Sequence, residues 1–242
     1  MPDVAWASSL PDVILRPASG NAFEVTVEQL ATAIRLGVFT QGQALPPQRE
    51  LAERLGVSRT TVRDVIAALR DSGLVATRRG RSGGTVVTYA GLEPGSAGLA
   101  GRPRVDVADA MAFRRVVEPG AAAAAAARRA LAADQRAWLS ESALATREAV
   151  DAAAHRLADH RFHLAVATLS GSPMLIEAVT RAQSALHELL MAIPVLRRNI
   201  EHSNDQHDAI VRAILAGDPQ TAHGEMEDHC EATAALLRGL IG

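Results

Sequence analysis

The chain is poor in aromatic side chains, carries one cysteine and contains no lysine, and each shortage narrows what it can be. Aromatics make up 3% of its 242 residues. Any core must therefore be assembled from Ala, Leu, Val and Ile, which suit closely packed helices. The single cysteine, Cys230, excludes an internal disulfide framework and fits a reducing compartment. No apolar run approaches the roughly 18 residues of a membrane span. The N-terminus has neither the basic flank nor the continuous apolar stretch of a secretory signal. A soluble cytoplasmic protein without membrane contact is expected. All 25 basic residues are arginine, which we ascribe to genome composition rather than to function.

What is present is enough apolar residue, 48%, for two cores. The length exceeds one small fold of about 90 residues and leaves about 130 to 140 residues for a second domain. The net charge of −2 does not by itself suggest a nucleic-acid partner. Its distribution does. Between Arg49 and Arg81 eight arginines face four acids, a local +4, whereas residues 89–242 carry 15 arginines and 19 acids, a local −4. A basic patch on an acidic body is the electrostatic footprint of a DNA-binding head.

Residues 1–21 show no period and read as an irregular arm. From Glu24 to Leu36, Val27, Leu30, Ala31 and Ile34 recur at helical spacing, and Gly37 stops that helix. A short helix pattern, Gln48 to Leu55, then meets a Gly56-Val57 turn. Ser58 caps a second helix running to about Asp71. This layout delivers a recognition helix to the major groove. Leu74 to Thr77 and Thr85 to Thr88 read as a hairpin whose tip is basic and Gly-rich. Residues 22–88 are thus expected to form a winged helix-turn-helix.

Arg59 and Arg63, four apart, share one face near the start of the recognition helix. Arginine pairs bidentately with guanine O6 and N7. Thr60 and Thr61 can bond phosphates or meet a thymine methyl. Arg78, Arg79, Arg81 and the Gly83-Gly84 tip would reach along the minor groove or the backbone. Each arginine taken singly also reads as a solvated surface charge. The run Ile34-Arg35-Leu36-Gly37, Gly42-x-x-Leu45-Pro46, Arg49-Glu50-Leu51-Ala52, Leu55-Gly56-Val57-Ser58-Arg59 and Val62-Arg63 resembles the DNA-binding domain of the GntR family of bacterial transcription regulators. About 60 residues match in spacing. Thr61 departs from the proline frequent there, and threonine is compatible with a helix's first turn. The resemblance implies a phosphate or base-edge contact for Arg49 and DNA-binding roles for Arg49, Ser58, Arg59, Thr60, Thr61, Arg63, Arg79, Arg81, Gly83 and Gly84.

From Tyr89 to Arg104 the composition shifts to Gly, Ala, Pro and Ser, the mark of a linker. Beyond it, residues 105–242 read as helix throughout. The expected spans are Val105 to Leu131, Asp134 to Val150, Ala152 to Ser170, Pro173 to Ile193, Arg197 to Ala216 and Pro219 to Leu240. Short connections make neighbours antiparallel, so a bundle of six or seven helices is expected. The fold class is mainly α.

Within the bundle, Asp159 and His163 are four apart on one helix. His207 lies on an inward stripe with Ile200, Asn204, Ile210, Val211 and Ile214, and His229 on another with Ala222, Met226 and Leu236. One carboxylate and three imidazoles are a competent site for a divalent transition metal, and hydrogen-bonded core histidines are the alternative reading. His155, His160, His187, His202 and His223 read as surface or structural residues. Arg114 falls on a stripe with Val107, Met111, Val117 and Ala121, which turns a cation inward.

The motifs Asp159-x-x-Phe162-His163, His207-x-x-Ile210-x-x-Ala213-Ile214-x-x-Gly217-Asp218, Met226-x-x-His229 and Arg114-x-x-Val117-Glu118-Pro119 resemble the FCD effector domain, which defines the FadR branch of that family. The resemblance covers about residues 105–240. It implies a metal held by Asp159, His163, His207 and His229, with zinc the first expectation and nickel or manganese the alternatives. It also implies an effector carboxylate clamped by Arg114, with Asn204 beside it. A structural salt bridge from Arg114 to Glu118 remains the competing reading. Ser172 stands where the family often has Asn. The expected protein is a homodimeric repressor that binds a palindromic operator and responds to a small carboxylate. A metal-dependent enzyme, a pure metal sensor and a structural metal stay open as rivals.

Overall fold

The computed structural model describes residues 15, 22–78, 84–90, 106–128, 131–191, 193 and 197–241. Its contacts separate one compact unit within Ser8–Ala90 from another within Gly91–Gly242.

The first unit begins with α1 (Ala22–Arg35), whose Leu30, Ala33 and Ile34 are buried. Helix α2 (Gln48–Leu55) ends at Gly56, whose φ of 63° lets the chain reverse without a Cβ penalty. Helix α3 (Arg59–Asp71) starts where the Ser58 hydroxyl accepts from the Thr61 amide at 3.0 Å. Val62, Val65, Ile66 and Leu69 of α3 recur at i, i+3, i+4 and i+7 and are buried. That stripe decides the helix's orientation and leaves Arg59, Thr60 and Arg63 exposed on the other side. Strands β1 (Val75–Arg78) and β2 (Gly84–Val87) pair antiparallel with Val75 opposite Val87. The Gln43–Leu45 backbone bonds along β2. Gly84 opens β2 opposite Arg78, so it belongs to the strand rather than to the hairpin tip expected for it.

The second unit holds, among the described residues, six helices: α4 (Val107–Ala126), α5 (Ala133–Arg147), α6 (Ala152–Leu169), α7 (Pro173–Leu190), α8 (Arg197–Ala216) and α9 (Pro219–Ile241). Their ends are set by local chemistry. Asp106 caps α4 through the Asp109 amide at 2.9 Å, two residues later than expected. Helix α7 stops at Leu190, three residues short of the expected end, as suits a chain approaching Pro194. Ser172 caps α7, and Gly217 with φ 70° followed by Asp218 and Pro219 separates α8 from α9.

Helix α4 packs against α6, α7, α8 and α9. Ala121, Ala122, Ala125 and Ala126 are buried in those contacts, and their small side chains let the neighbouring backbones approach. This close packing brings polar residues of α4 against those of α6 and α9. No helix among the described residues is long and apolar enough to cross a membrane.

Candidate functional site

Three helices converge on one cluster. Helix α6 contributes Asp159 and His163, α8 contributes His207, and α9 contributes His229. One ligand atom from each lies within 4.8 Å of every other. The three imidazoles are 0 to 2% exposed and Asp159 is 14% exposed at its side chain. Nε2 of His229 stands 3.2 Å from Nε2 of His163, and Nε2 of His207 stands 3.4 Å from an Asp159 oxygen. The Phe162 ring lies against His207, centroid to centroid 4.3 Å, and walls that side off.

Each imidazole has an oxygen behind its other nitrogen, hydrogen-bonded for His229 and His207 and in close contact without an aligned hydrogen bond for His163. His163 Nδ1 is 2.8 Å from Glu118 Oε2, His229 Nδ1 is 3.2 Å from Gln206 Oε1, and His207 Nδ1 is 3.4 Å from Thr146 Oγ1. With Nδ1 as donor in each ring, all three Nε2 lone pairs and a carboxylate point at one place. Lone pairs and negative charge facing one another out of water repel unless a cation lies among them. His207 Nε2 is correspondingly buried without an aligned hydrogen bond. Burial pushes the His207 pKa down to about 3 and that of His229 well below the usual value, so both rings are neutral, the form that binds metal. Burial works to raise the Asp159 pKa; His163 and His207 outweigh it and bring it to about 2. Three imidazole nitrogens and one carboxylate oxygen fit a divalent transition ion.

Behind the cluster, Arg114 and Glu118 are each 1% exposed, and Arg114 Nε lies 3.1 Å from Glu118 Oε1. The ion pair foreseen as the competing reading is therefore present. Yet none of the three guanidinium nitrogens makes an aligned hydrogen bond, and Arg114 lines the cavity that reaches Asp159 and His229. Burial opposes the Arg114 charge, and Cys230 and Glu118 more than offset it, leaving its pKa above the usual arginine value. Glu118 faces the same opposition from burial. Arg114 and His163 outweigh it, and its carboxyl stays well below the usual range. That one carboxylate touches both the buried cation and a cluster imidazole. It also accepts from Gln183 Nε2 at 2.6 Å.

The cavity has a volume of about 70 Å³. Asn204, expected beside Arg114, does not line it. Its Oδ1 sits 2.9 Å from Thr146 Oγ1 and it borders a second depression that shares His155 and Ile200 with the first. The reason is the helical step: Asn204 turns toward α5 while Ser203 and Ile200 face the cavity. Asn204 thus supports His207 through Thr146. His155 lines both depressions, with Nδ1 2.9 Å from the Thr146 carbonyl. His160 and His187 are buried and bonded to each other at 3.2 Å. His202 and His223 are exposed.

Sequence reasoning passed over Glu118 as a partner of His163, and over Gln183 and Arg156. Gln183 and Arg156 were visible only as polar residues on otherwise apolar stripes. In the sequence Glu118 is legible only in relation to Arg114.

On the DNA-binding unit, Arg49, Arg59, Thr60, Arg63 and Gly84 are exposed. The hydroxyls of Ser58 and Thr61 lie 2.8 Å apart, and Ser58 also takes the Thr61 amide. They form the start of α3. Arg79, Arg81 and Gly83 lie outside the described residues.

A helix-turn-helix with a two-stranded wing, joined in one chain to an all-helical domain, defines a two-domain class of transcription regulator. The family model for bacterial regulatory proteins of the gntR family matches residues 23–87, and that for the FCD domain matches residues 109–232. The chain belongs to the GntR family, in the FadR-like branch that carries an FCD domain, and is a DNA-binding transcriptional regulator. It is 31% identical to RmpR of Mycobacterium gastri, an HTH-type regulator by its name, over 85% of this chain and 76% of that one. It is 28% identical to the regulator LutR of Bacillus subtilis over 85% of this chain and 96% of LutR. It is likewise 28% identical to the repressor NanR of Cronobacter sakazakii over 90% of this chain and 85% of NanR. Among solved structures, Escherichia coli McbR/YncC shares the fold, with TM-score 0.53, 19% identity and coverage of 93% of this chain and 100% of that one. A GntR-type regulator from Rhodococcus sp. RHA1 does so with TM-score 0.51, 22% identity and coverage of 92% and 100%. These relatives are regulators, which sets aside the metal-dependent enzyme.

Proposed function

We propose that this regulator is a repressor that binds a palindromic operator as a homodimer, and that a small carboxylate at a metal site in its helical domain changes its DNA affinity. The observation that carries this reading is the convergence of Asp159, His163, His207 and His229 on one point, with Asp159 and His229 also lining the cavity that Arg114 lines. Asp159, His163, His207 and His229 would hold the ion, with zinc first and nickel or manganese as alternatives. The ion would supply a Lewis-acidic positive centre for one carboxylate of the effector. Arg114, whose buried nitrogens lack aligned hydrogen bonds, would clamp that carboxylate through its fork of donors.

On the DNA side, Arg59 and Arg63 would read base edges, Thr60 and Arg49 would meet the backbone, and Gly84 would admit it closely at the wing. Ser58 and Thr61 would set the helix start. One winged helix spans few base pairs, and a two-fold dimer doubles the half-site. Repression accords with the name of the relative NanR. We keep the expected limits of 22–88 for the DNA-binding unit and 105–242 for the effector domain; the expected arm over 1–21, but for Leu15, and the expected linker over 89–104, but for Tyr89 and Ala90, lie outside the described residues.

The test is anisotropy of a labelled fragment of the gene's own promoter, bound by metal-loaded protein and titrated with small carboxylates. At least one acid should change the affinity about 5- to 150-fold, the usual range for such coupling. Chelation, or Arg114→Lys, which keeps the charge but not the fork, should abolish that response while leaving DNA binding. If metal alone shifts the affinity and no acid adds to it, the protein is a metal sensor instead.

A further inference from the structure

We infer that Gln183 is a positioning residue for the metal site: it acts through Glu118 to hold the ring of His163, and His160 in turn fixes Gln183. The inference rests on the metal reading above and adds a layer that contains no metal ligand. The residues form one buried chain across three helices. Gln183 of α7 donates from Nε2 to Oε1 of Glu118 on α4 at 2.6 Å. Its own Oε1 lies 2.7 Å from Nδ1 of His160 on α6. Nε2 of His160 lies 3.2 Å from Nδ1 of His187, back on α7. Gln183 and His160 are 0% exposed and His187 is 7% exposed.

Donor and acceptor chemistry gives this chain one direction. An ionised carboxylate only accepts, and Glu118 stays ionised beside Arg114 and His163. Gln183 must therefore turn its amide NH₂ to Glu118 and its oxygen to His160. That oxygen only accepts, so His160 carries a proton on Nδ1. Burial lowers the His160 pKa and keeps the ring neutral. Its Nε2 is then an acceptor, and His187 donates to it from Nδ1. Reversing any member would set two donors or two acceptors face to face out of water.

The far end of the chain is the metal site. Oε2 of Glu118 is 2.8 Å from Nδ1 of His163, and Oε1 lies 3.1 Å from Arg114 Nε. Arg114 makes no aligned hydrogen bond there, so the bond from Gln183 is the short directed one on Oε1 and sets the plane of the carboxylate. With that plane fixed, Oε2 stays behind His163 and the ring keeps its Nε2 toward Asp159 and His229. Without Gln183 the carboxylate can turn about its own bond, and the ring turns with it.

The direction of the chain is read without metal. Proton–nitrogen correlation NMR of the metal-free full chain should show His160 as the Nδ1–H tautomer, and a His160 protonated on Nε2 alone overturns the inference. The consequence is read by competition for zinc with a chromophoric chelator. Gln183→Met, which keeps the length and removes both polar groups, should weaken zinc binding about tenfold, the low end of what losing an outer partner of a ligating histidine costs. The same substitution made in Glu118→Gln should cost no more than about twofold, because the route to His163 is already broken. His160→Asn, whose amide puts a donor where Nδ1 was, should bind zinc as the wild type does. His160→Leu should lose about as much as Gln183→Met. A cooperative melting transition of each metal-free variant establishes that it is folded, and should Gln183→Met fail to fold, the two His160 variants decide. Undiminished affinity in Gln183→Met, the same loss repeated in Glu118→Gln, or His160→Asn no better than His160→Leu overturns the role of Gln183 while the metal reading stands. No binding of zinc, nickel or manganese by the wild type overturns both.

Discussion

Glu118→Ala is expected to destabilise the helical unit by about 3 to 5 kcal/mol, the usual consequence of leaving one partner of a buried ion pair without the other. Glu118 is 1% exposed, and its two oxygens serve Arg114, Gln183 and His163 at 3.1, 2.6 and 2.8 Å. Removing it strands a guanidinium inside the protein and frees the ring of His163 to rotate. Glu118→Gln keeps the volume and part of the hydrogen bonding, so it should fold and separate the two roles. In that variant we expect metal affinity to fall about 10- to 100-fold, the scale seen when an outer partner of a metal-binding histidine is lost. Urea unfolding measures the first effect and competition with a chromophoric chelator the second. A loss of stability below about 1 kcal/mol would mean that water already reaches Arg114.

Arg63→Ala is expected to remove specific operator binding. Arg63 is exposed on the face of α3 opposite the buried Val62, Val65, Ile66 and Leu69. Its close ionic neighbour among the described residues is the adjacent Asp64 at 3.6 Å, itself exposed, so little there holds Arg63 back from a base. One bidentate contact to guanine contributes about 1 to 3 kcal/mol of discrimination. Two half-sites double that, on the order of 30-fold to more than 10⁴-fold in affinity. Binding to unrelated DNA should change far less, since phosphate contacts dominate it, and the oligomeric state should be unchanged in sedimentation. Unaltered operator affinity would remove Arg63 from the reading contacts.

The parts of this molecule that were legible in the sequence are those governed by short-range period. Ser58, Gly56 and the stripe Val62, Val65, Ile66 and Leu69 specify the helix-turn-helix within about twenty residues, so local chemistry sufficed. Asp159, His163, His207 and His229 stood out because polar residues on apolar stripes point inward wherever the helices end up, and the packing brings all four together. What local period does not carry is which inward residue meets which across helices. The contact between Glu118 of α4 and His163 of α6 depends on how closely the alanines of α4 let the helices approach. Asn204 shows the converse. It lies on the same stripe as His207, yet one step of the helix turns it to Thr146 and away from the Arg114 cavity. Ser58 and Thr61 read as DNA contacts from position alone, whereas their hydroxyls close on each other at 2.8 Å. Helix ends moved by up to five residues: α4 starts at its Asp106 cap and stops at Ala126 rather than Leu131, and α7 stops three residues early ahead of Pro194.

The most direct measurement is the metal content of the protein purified without affinity tag or chelator, beside a His207→Ala/His229→Ala variant. About one divalent ion per chain in the wild type and none in the variant is the expected result, since two of four donors are lost. No metal in either protein, even after incubation with zinc, nickel or manganese, would contradict the account of the site and leave a DNA-binding regulator with a histidine-lined pocket.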